Sequence, residues 1–339
     1  MLKCSSSDDV ELPPPERPQR LASAWWVYLA GYLVIGLLVS LAAVDTPASA
    51  NCPGGGSLGV LSGKRITAFA GAVFFRTSEL QLDDDGSPSA YGVRDQGREN
   101  ICNGLAPVAP PVCRGRIRGK CFHACQTEFS AWSHAGARPD NIAAYMCSVG
   151  LGGDNCSHPI VQLQPSPRDA WFVSETSAKY TAPDGTVRGW SARQEAQLDP
   201  ERVPYFVIPD KARTRPWNLS LGDVGVVVDL RTGHSAAFVL GDSGGSLDEA
   251  SVALHANLFE TPPKLALRHS ALGEAVASYA SGREGDFAVV VFRGTAHRRT
   301  GQQALDLTPQ SIGPWLAQAA SSNLQRIGGI STLVSCAAP

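Results

Sequence analysis

Two carboxylates, Asp242 and Glu249, stand at the ends of one short Gly- and Ser-rich loop in Gly241-Asp-Ser-Gly-Gly-Ser-Leu-Asp-Glu-Ala-Ser251. Hydrolysis of a glycosidic bond asks for such a pair: one protonated carboxyl gives a proton to the leaving oxygen, and one ionised carboxylate activates water or attacks the anomeric carbon. A turn hung between two apolar runs, Ala236-Ala-Phe-Val-Leu240 before it and Val252-Ala-Leu-His-Ala-Asn-Leu258 after it, would hold both groups at a fixed edge. The purely structural use of the same residues is that Asp242 closes a turn and Glu249 caps a following helix.

The elements that must position the pair are short strands. Tyr205-Phe-Val-Ile208, Val224-Gly-Val-Val-Val228, Ala236–Leu240 and Phe287-Ala-Val-Val-Val-Phe292 are β-branched or aromatic and bounded by turn residues, which predicts a β-barrel. Two helices are expected beside it, one starting at Glu249 and one over 311–326, where Ile312, Trp315, Leu316, Ala319 and Leu324 make an apolar face; Gly328-Gly329 is a stop signal. Farther upstream, Ile66-Thr-Ala-Phe-Ala-Gly-Ala-Val-Phe-Phe75 reads as a strand. The Asp83-Asp-Asp-Gly86 run after it offers carboxylates to Ca²⁺, but the usual meaning of such a run is a solvated turn.

From Leu198-Asp-Pro-Glu-Arg-Val-Pro-Tyr-Phe-Val-Ile-Pro209, through Leu221-Gly-Asp-Val-Gly-Val-Val-Val-Asp229, to Gly241-Asp-Ser-Gly and Glu249-Ala-Ser251, the order of motifs resembles the fungal-type chitosanases, glycoside hydrolase family 75. Asp286-Phe-Ala-Val-Val-Val-Phe292 looks like that family's late core strand. The resemblance implies an inverting, endo-acting hydrolase of β-1,4 bonds in chitosan or a related amino-sugar polymer, with Asp242 and Glu249 catalytic and no cofactor or metal. Glu249 is assigned as general acid and Asp242 as general base. The sequence departs from the family at Asp248, where Gly is usual, and the loop between the two acids is shorter than is common there.

Asp223, Asp248 and Tyr205 are the candidate substrate-binding residues. With Asp242 and Glu249 the two aspartates would concentrate negative charge that suits the partly cationic amines of chitosan. For Asp223 a turn-forming role is an equal alternative; a core role is the ordinary one for Tyr205, and a surface position for His255. Two competing readings belong to other classes. One is a catalytically inactive polysaccharide- or envelope-binding module on the same scaffold. The other is a trypsin-like serine protease, because Gly241-Asp-Ser-Gly-Gly245 resembles the sequence around that family's nucleophile, which would be Ser243. The histidine segment such a protease needs is missing, and Lys120-Cys-Phe-His-Ala-Cys125 has the wrong spacing.

The fold class expected is mainly β: a β-barrel catalytic domain with a few helices over 166–339, preceded by a single N-terminal transmembrane helix and a disulfide-rich region over 45–165. Residues 1–24 are polar and Pro-containing, which predicts a disordered cytoplasmic tail. Residues 25–44 carry no charge and are long enough to cross a bilayer. Lys3, Arg17 and Arg20 precede the span and Lys64 is the first basic residue after it, so the remainder is expected outside the cytoplasm, membrane-anchored, or secreted if cleaved after Ala50 in Ala48-Ser-Ala50.

Eight of the nine cysteines follow the span, from Cys52 to Cys336, as suits an oxidising compartment and up to four disulfides, one of which would tie Cys336 back to the Cys-rich half. Disulfides are favoured over a zinc site at Cys121, Cys125, Cys147 and Cys156, whose spacings do not repeat. Trp132 and Tyr91 in this region could stack on a sugar ring, although core packing is the ordinary role of a single aromatic. With 43% apolar residues and a net charge of −2, the chain can bury a sizeable core but has no basic field for a nucleic acid. The partners expected are therefore a polysaccharide and, through the N-terminal helix, a membrane.

Overall fold

The computed structural model describes residues 55–92, 94–105, 118–136, 164, 171–183, 189–209, 214–244, 246–270, 273–280, 282–298 and 304–337. The expected tail and membrane span fall outside these residues. Among the described helices none is long and apolar enough to cross a membrane.

Ten strands are described: β1 Gly56–Leu61, β2 Lys64–Phe69, β3 Ala72–Asp83, β4 Tyr205–Pro209, β5 Val224–Asp229, β6 Ser235–Gly244, β7 Glu249–Ser251, β8 Leu265–His269, β9 Ala275–Tyr279 and β10 Arg283–Phe292. The order β3-β10-β5-β6-β4-β7 returns to β3, so six strands close into a barrel, with β2 and β1 extending outward from β3 and β8-β9 forming a separate hairpin. Two of the barrel's pairings, β4 with β6 and β3 with β7, are parallel. The ring is completed between β4 and β7 by the single pair Phe206↔Ala250.

The sheet ignores the expected boundary at residue 165. β3, from the Cys-rich half, pairs with β10 through eight residue pairs and with β7 at Gln81↔Glu249, Leu82↔Ala250 and Asp83↔Ser251. The expected strand over 66–75 is two strands, because Ala70 and Gly71 both adopt positive φ and turn the chain back on itself.

Alternation along the strands divides their side chains between two apolar environments. Phe75, Phe206, Phe238, Leu240, Phe287, Val289 and Val291 fill one cluster, which is the barrel interior. On the outer face Val224, Val226, Val228, Val290 and Phe292 pack under α4 (Ile312–Arg326) and α5 (Gly329–Ala337). α4 presents Ile312, Leu316 and Ala320, close to the face read from its spacing. The Gly-Gly stop after it is a link to α5, in which Cys336 is buried and disulfide-bonded. A third apolar cluster, including Tyr205, Val207 and Val239, lies under the segments around Ala178–Leu198 and Leu305–Ile312.

Upstream, α1 (Ile101–Leu105) and α2 (Arg118–His134) are joined by a disulfide between Cys102 and Cys125. That bond removes Cys125 from the expected alternatives for a metal. Trp132 packs against Phe129, with ring centroids 6.0 Å apart.

Candidate active site

Asp242 faces the outside of the barrel because of a β-bulge. β4 and β6 run in register at Tyr205↔Val239 and Phe206↔Leu240, but the next pair is Val207↔Asp242, so Gly241 is an extra residue. In regular pairing, with Gly241 opposite Val207, Asp242 would lie opposite Ile208 and share its inward face. With the bulge, the carboxylate joins Val207 and Tyr205, and re-aiming one side chain is a recognised use of a bulge. Glycine is required at the extra position, since a Cβ there would come within 2.4 Å of Tyr205 Cβ. The Gly241 carbonyl accepts from Ala178 N–H at 2.8 Å, which lays the 174–180 segment across the bulge.

That segment supplies the partners of Asp242. The Ser177 backbone N–H donates to Asp242 Oδ1 at 2.8 Å and the Ser177 hydroxyl to the same oxygen at 2.6 Å, with Ser243 N–H adding a third bond at 2.7 Å. Ser177 Oγ lies 2.6 Å from Ser243 Oγ, which forms a short chain of hydroxyls from the exposed Ser243 to the buried carboxyl. Among the described hydrogen bonds, no histidine meets Ser243.

The Asp83-Asp-Asp-Gly86 run is not the solvated turn expected of it. β3 delivers it to the same place, and carboxylate oxygens of Asp83, Asp85 and Asp242 lie within 4.8 Å of one another. Oxygens at that spacing are close enough to contact one small cation. The turn is fixed from several sides. Tyr205 Oη donates to the Asp85 carbonyl at 2.6 Å, Tyr91 Oη donates to Asp85 Oδ1 at 2.8 Å, and Ser174 Oγ donates to the same oxygen at 3.2 Å. Tyr91 and Tyr205 are both buried, so neither offers a ring face to a sugar; they position Asp85. Burial first, and the nearby aspartates second, push both phenols well above their usual range, which keeps them protonated as donors.

Burial also raises the proton affinity of the carboxyls. Asp242 is pushed up to about 7, first by burial and then by the charge of Asp85, against the opposing hydrogen bonds from Ser177 and Ser243. Asp83 is raised well above the usual carboxylate range by burial, then by Asp85 and Asp242, with a further contribution from Glu249. Like charges this close cannot all ionise at neutral pH, so the cluster retains protons.

Glu249 opens β7 rather than a helix. The helix α3 (Val252–Phe259) begins later, and its cap is Ser251, whose Oγ accepts from Leu254 N–H. Glu249 is half-buried, its Oε1 lies 3.4 Å from Ser246 Oγ, and its Oε2 would be 2.7 Å from a Cβ at Gly244. The charges of Asp242 and, more weakly, Glu249 both act on Asp83.

The remaining sequence candidates have structural occupations. Asp223 is fully buried and its carboxylate accepts from the backbone N–H groups of Ser220, Thr295 and Ala296, which ties the turn before β5 to the turn after β10. His255 is buried rather than on the surface. Its Nδ1 and Nε2 lie 3.1 Å from the carbonyls of Ser251 and Leu80, and burial lowers its affinity for a proton.

Asp248 is buried and paired with Lys64 of β2, Nζ to Oδ2 at 2.8 Å, and it also accepts from Ser246 Oγ. A carboxylate held in this way orients the loop between the two acids. Replacing Asp248 by Ala leaves Lys64 without its partner and is expected to cost about 2 kcal/mol of stability or more. Denaturant unfolding checks this.

No family model matches the chain, and no curated protein matches it.

Proposed function

We propose that the protein is an endo-acting glycoside hydrolase that cleaves β-1,4 bonds in chitosan or a related amino-sugar polymer by acid/base catalysis. The observation that carries this reading is the cluster itself: Asp242, bulged onto the outer face of the barrel, shares its surroundings with Asp83 and Asp85 and holds a proton up to a pH of about 7. A carboxyl that is still protonated near neutral pH is what general acid catalysis of glycoside cleavage requires. The resemblance of residues 198–292 to the fungal-type chitosanases supports the same reaction.

The geometry favours a division of labour opposite to the one assigned from sequence. Asp242 is the general acid, since burial and Asp85 keep its proton on, and Glu249, half-buried at the start of β7, is the base that activates water. Ser177 acts on the acid by donating two hydrogen bonds to Oδ1, so it orients the carboxyl and limits the rise in its proton affinity. The local excess of carboxylates suits a polymer carrying ammonium groups over a neutral one. The disulfide between Cys102 and Cys125 fits an extracytoplasmic enzyme, anchored or secreted.

The test is reducing-end release from chitosan, chitin and peptidoglycan glycan by the full chain and by its Glu249→Gln variant. Hydrolysis of chitosan that falls by about a hundredfold or more in the variant is expected of a base removed from an acid/base pair. Saturable binding of the polymer with no release of ends from any of the three would instead favour the second reading, a polysaccharide-binding module that keeps the scaffold.

A further inference from the structure

Asp84 lines a different space from its neighbours Asp83 and Asp85. It forms part of the wall of a 410 Å³ cavity between the end of β3, the end of β9 and the start of β10, within the size range of small-molecule sites. Asp84 is only 3% exposed, and neither of its carboxylate oxygens has a hydrogen-bond partner among the described residues. A buried carboxyl without a partner is unfavourable when ionised: burial pushes Asp84 up to about 8 and Glu99 up to about 7, so each keeps its proton near neutral pH unless a cation is supplied to it.

The protein's own cations near the cavity are engaged elsewhere. Arg283, which lines it, lies over the Phe259 ring at 4.3 Å and donates to Thr261 Oγ1 at 3.1 Å. Arg98, whose charge acts on Asp84, pairs with Glu201 and donates to Tyr279 Oη at 2.9 Å. The wall then holds four acidic side chains, Asp84, Glu99, Glu79 and Glu284, beside Leu82, Tyr279 and Ala280; of these Glu99 already has a hydrogen bond with Asn103 and feels the Arg268 charge. A small metal ion would keep its water and gain nothing from those carbon walls, whereas an organic ammonium matches both features.

We propose that this cavity is a second binding site, for a primary organic ammonium ion whose N–H groups are taken up by Asp84 and Glu99 and whose carbon skeleton lies against Leu82 and Tyr279. The site uses neither Asp242 nor Glu249, so it stands whether or not the protein cleaves a polymer.

The probe is n-butylammonium, with n-butanol as the neutral analogue of the same shape, titrated calorimetrically into the full-length protein and followed also by thermal unfolding. Saturable binding of the ammonium at least about tenfold tighter than the alcohol is expected, since only the ion can pair with the carboxylates. Asp84→Asn should weaken it by about tenfold or more, Glu99→Gln should weaken it less, and Asp242→Asn should leave it unchanged. Because Asp84 has no partner to lose, Asp84→Asn without ligand should melt at or above the temperature of the unsubstituted protein. Should that variant fail to fold, the Glu99→Gln comparison carries the same test. Equal affinity for ammonium and alcohol, or undiminished binding in Asp84→Asn, would overturn the proposal. So would a Ca²⁺-dependent rise in melting temperature that needs Asp84 while butylammonium has no effect, an outcome that would make the cavity a metal site.

Discussion

Asp242→Asn should lower reducing-end release from chitosan by about a thousandfold while leaving the barrel folded, because it removes the proton donor and keeps the side-chain volume. The same carboxyl sets the shape of the pH profile. If Asp242 is the acid, activity in the unsubstituted protein declines as pH rises through about 7, where its proton is lost. The same limb would appear were the proton needed on Glu249, since the pair titrates as a unit, so it is the loss of that limb in Asp242→Asn that assigns it to this residue.

Ser177→Ala offers a finer check on that profile. Removing a hydroxyl that donates to Oδ1 withdraws a contact that favours the ionised form, so the alkaline limb should move to higher pH. The stability consequence has a definite sign. A carboxyl whose proton affinity is raised on folding contributes stability that is fully present below the unfolded value near 4 and is lost as pH rises through the folded value. The unsubstituted protein should therefore melt at progressively lower temperature from about pH 4 to about pH 7, and Asp242→Asn should flatten that slope. Because the cluster titrates as a unit, Asp83 keeps part of the slope in the variant.

Much of the barrel was visible in local patterns, and the reason is chemical. β4, β5, β6 and β10 are runs of Val, Ile and Phe buried along most of their length, and such runs carry a strong strand signal. The acidic loop was visible for the same reason, as polar residues flanked by two apolar elements. What local patterns could not supply was the company Asp242 keeps. Asp83 and Asp85 arrive through the pairings of β3 with β10 and β7, contacts between residues more than 150 positions apart. Read alone, three consecutive aspartates before a glycine describe a turn in water.

The bulge at Gly241 was equally hidden, since an extra residue in a strand leaves no mark in its composition. A strand read without it would send Asp242 inward with Leu240. The helix-start signal near Glu249 belongs to Ser251, which caps the helix two residues later, and the three-residue strand before that helix is too short to show a period. The boundary at 165 followed a change in cysteine content, which reports on cross-linking rather than on which strands share a sheet.

Gly86→Ala should be the most damaging small substitution in the acidic turn, and it links that turn to the reaction. Gly86 sits at φ +91, and a Cβ there would lie 2.1 Å from the Leu198 carbonyl and 2.7 Å from Thr176 Cγ2. Its own N–H donates to Ser174 Oγ at 2.9 Å and its carbonyl accepts from Gln194 Nε2 at 2.6 Å, so the turn cannot swing away without breaking the contacts that also hold Asp85. Backbone strain together with displaced backbone is expected to cost about 3 kcal/mol, or roughly 6–12 °C in melting temperature. Gly233→Ala is the control: it has a similar φ of +79 but nothing within 4 Å of the new Cβ, so it should cost only the strain, about 1 kcal/mol. Measured at a temperature where both variants remain folded, kcat should drop in Gly86→Ala and stay unchanged in Gly233→Ala. Burial and, after it, the charge of Asp85 raise the proton affinity of Asp242, so displacing Asp85 lowers that affinity in part, and the alkaline limb of the surviving activity should shift to lower pH. An unshifted limb beside a lowered kcat would mean that the turn serves the fold alone.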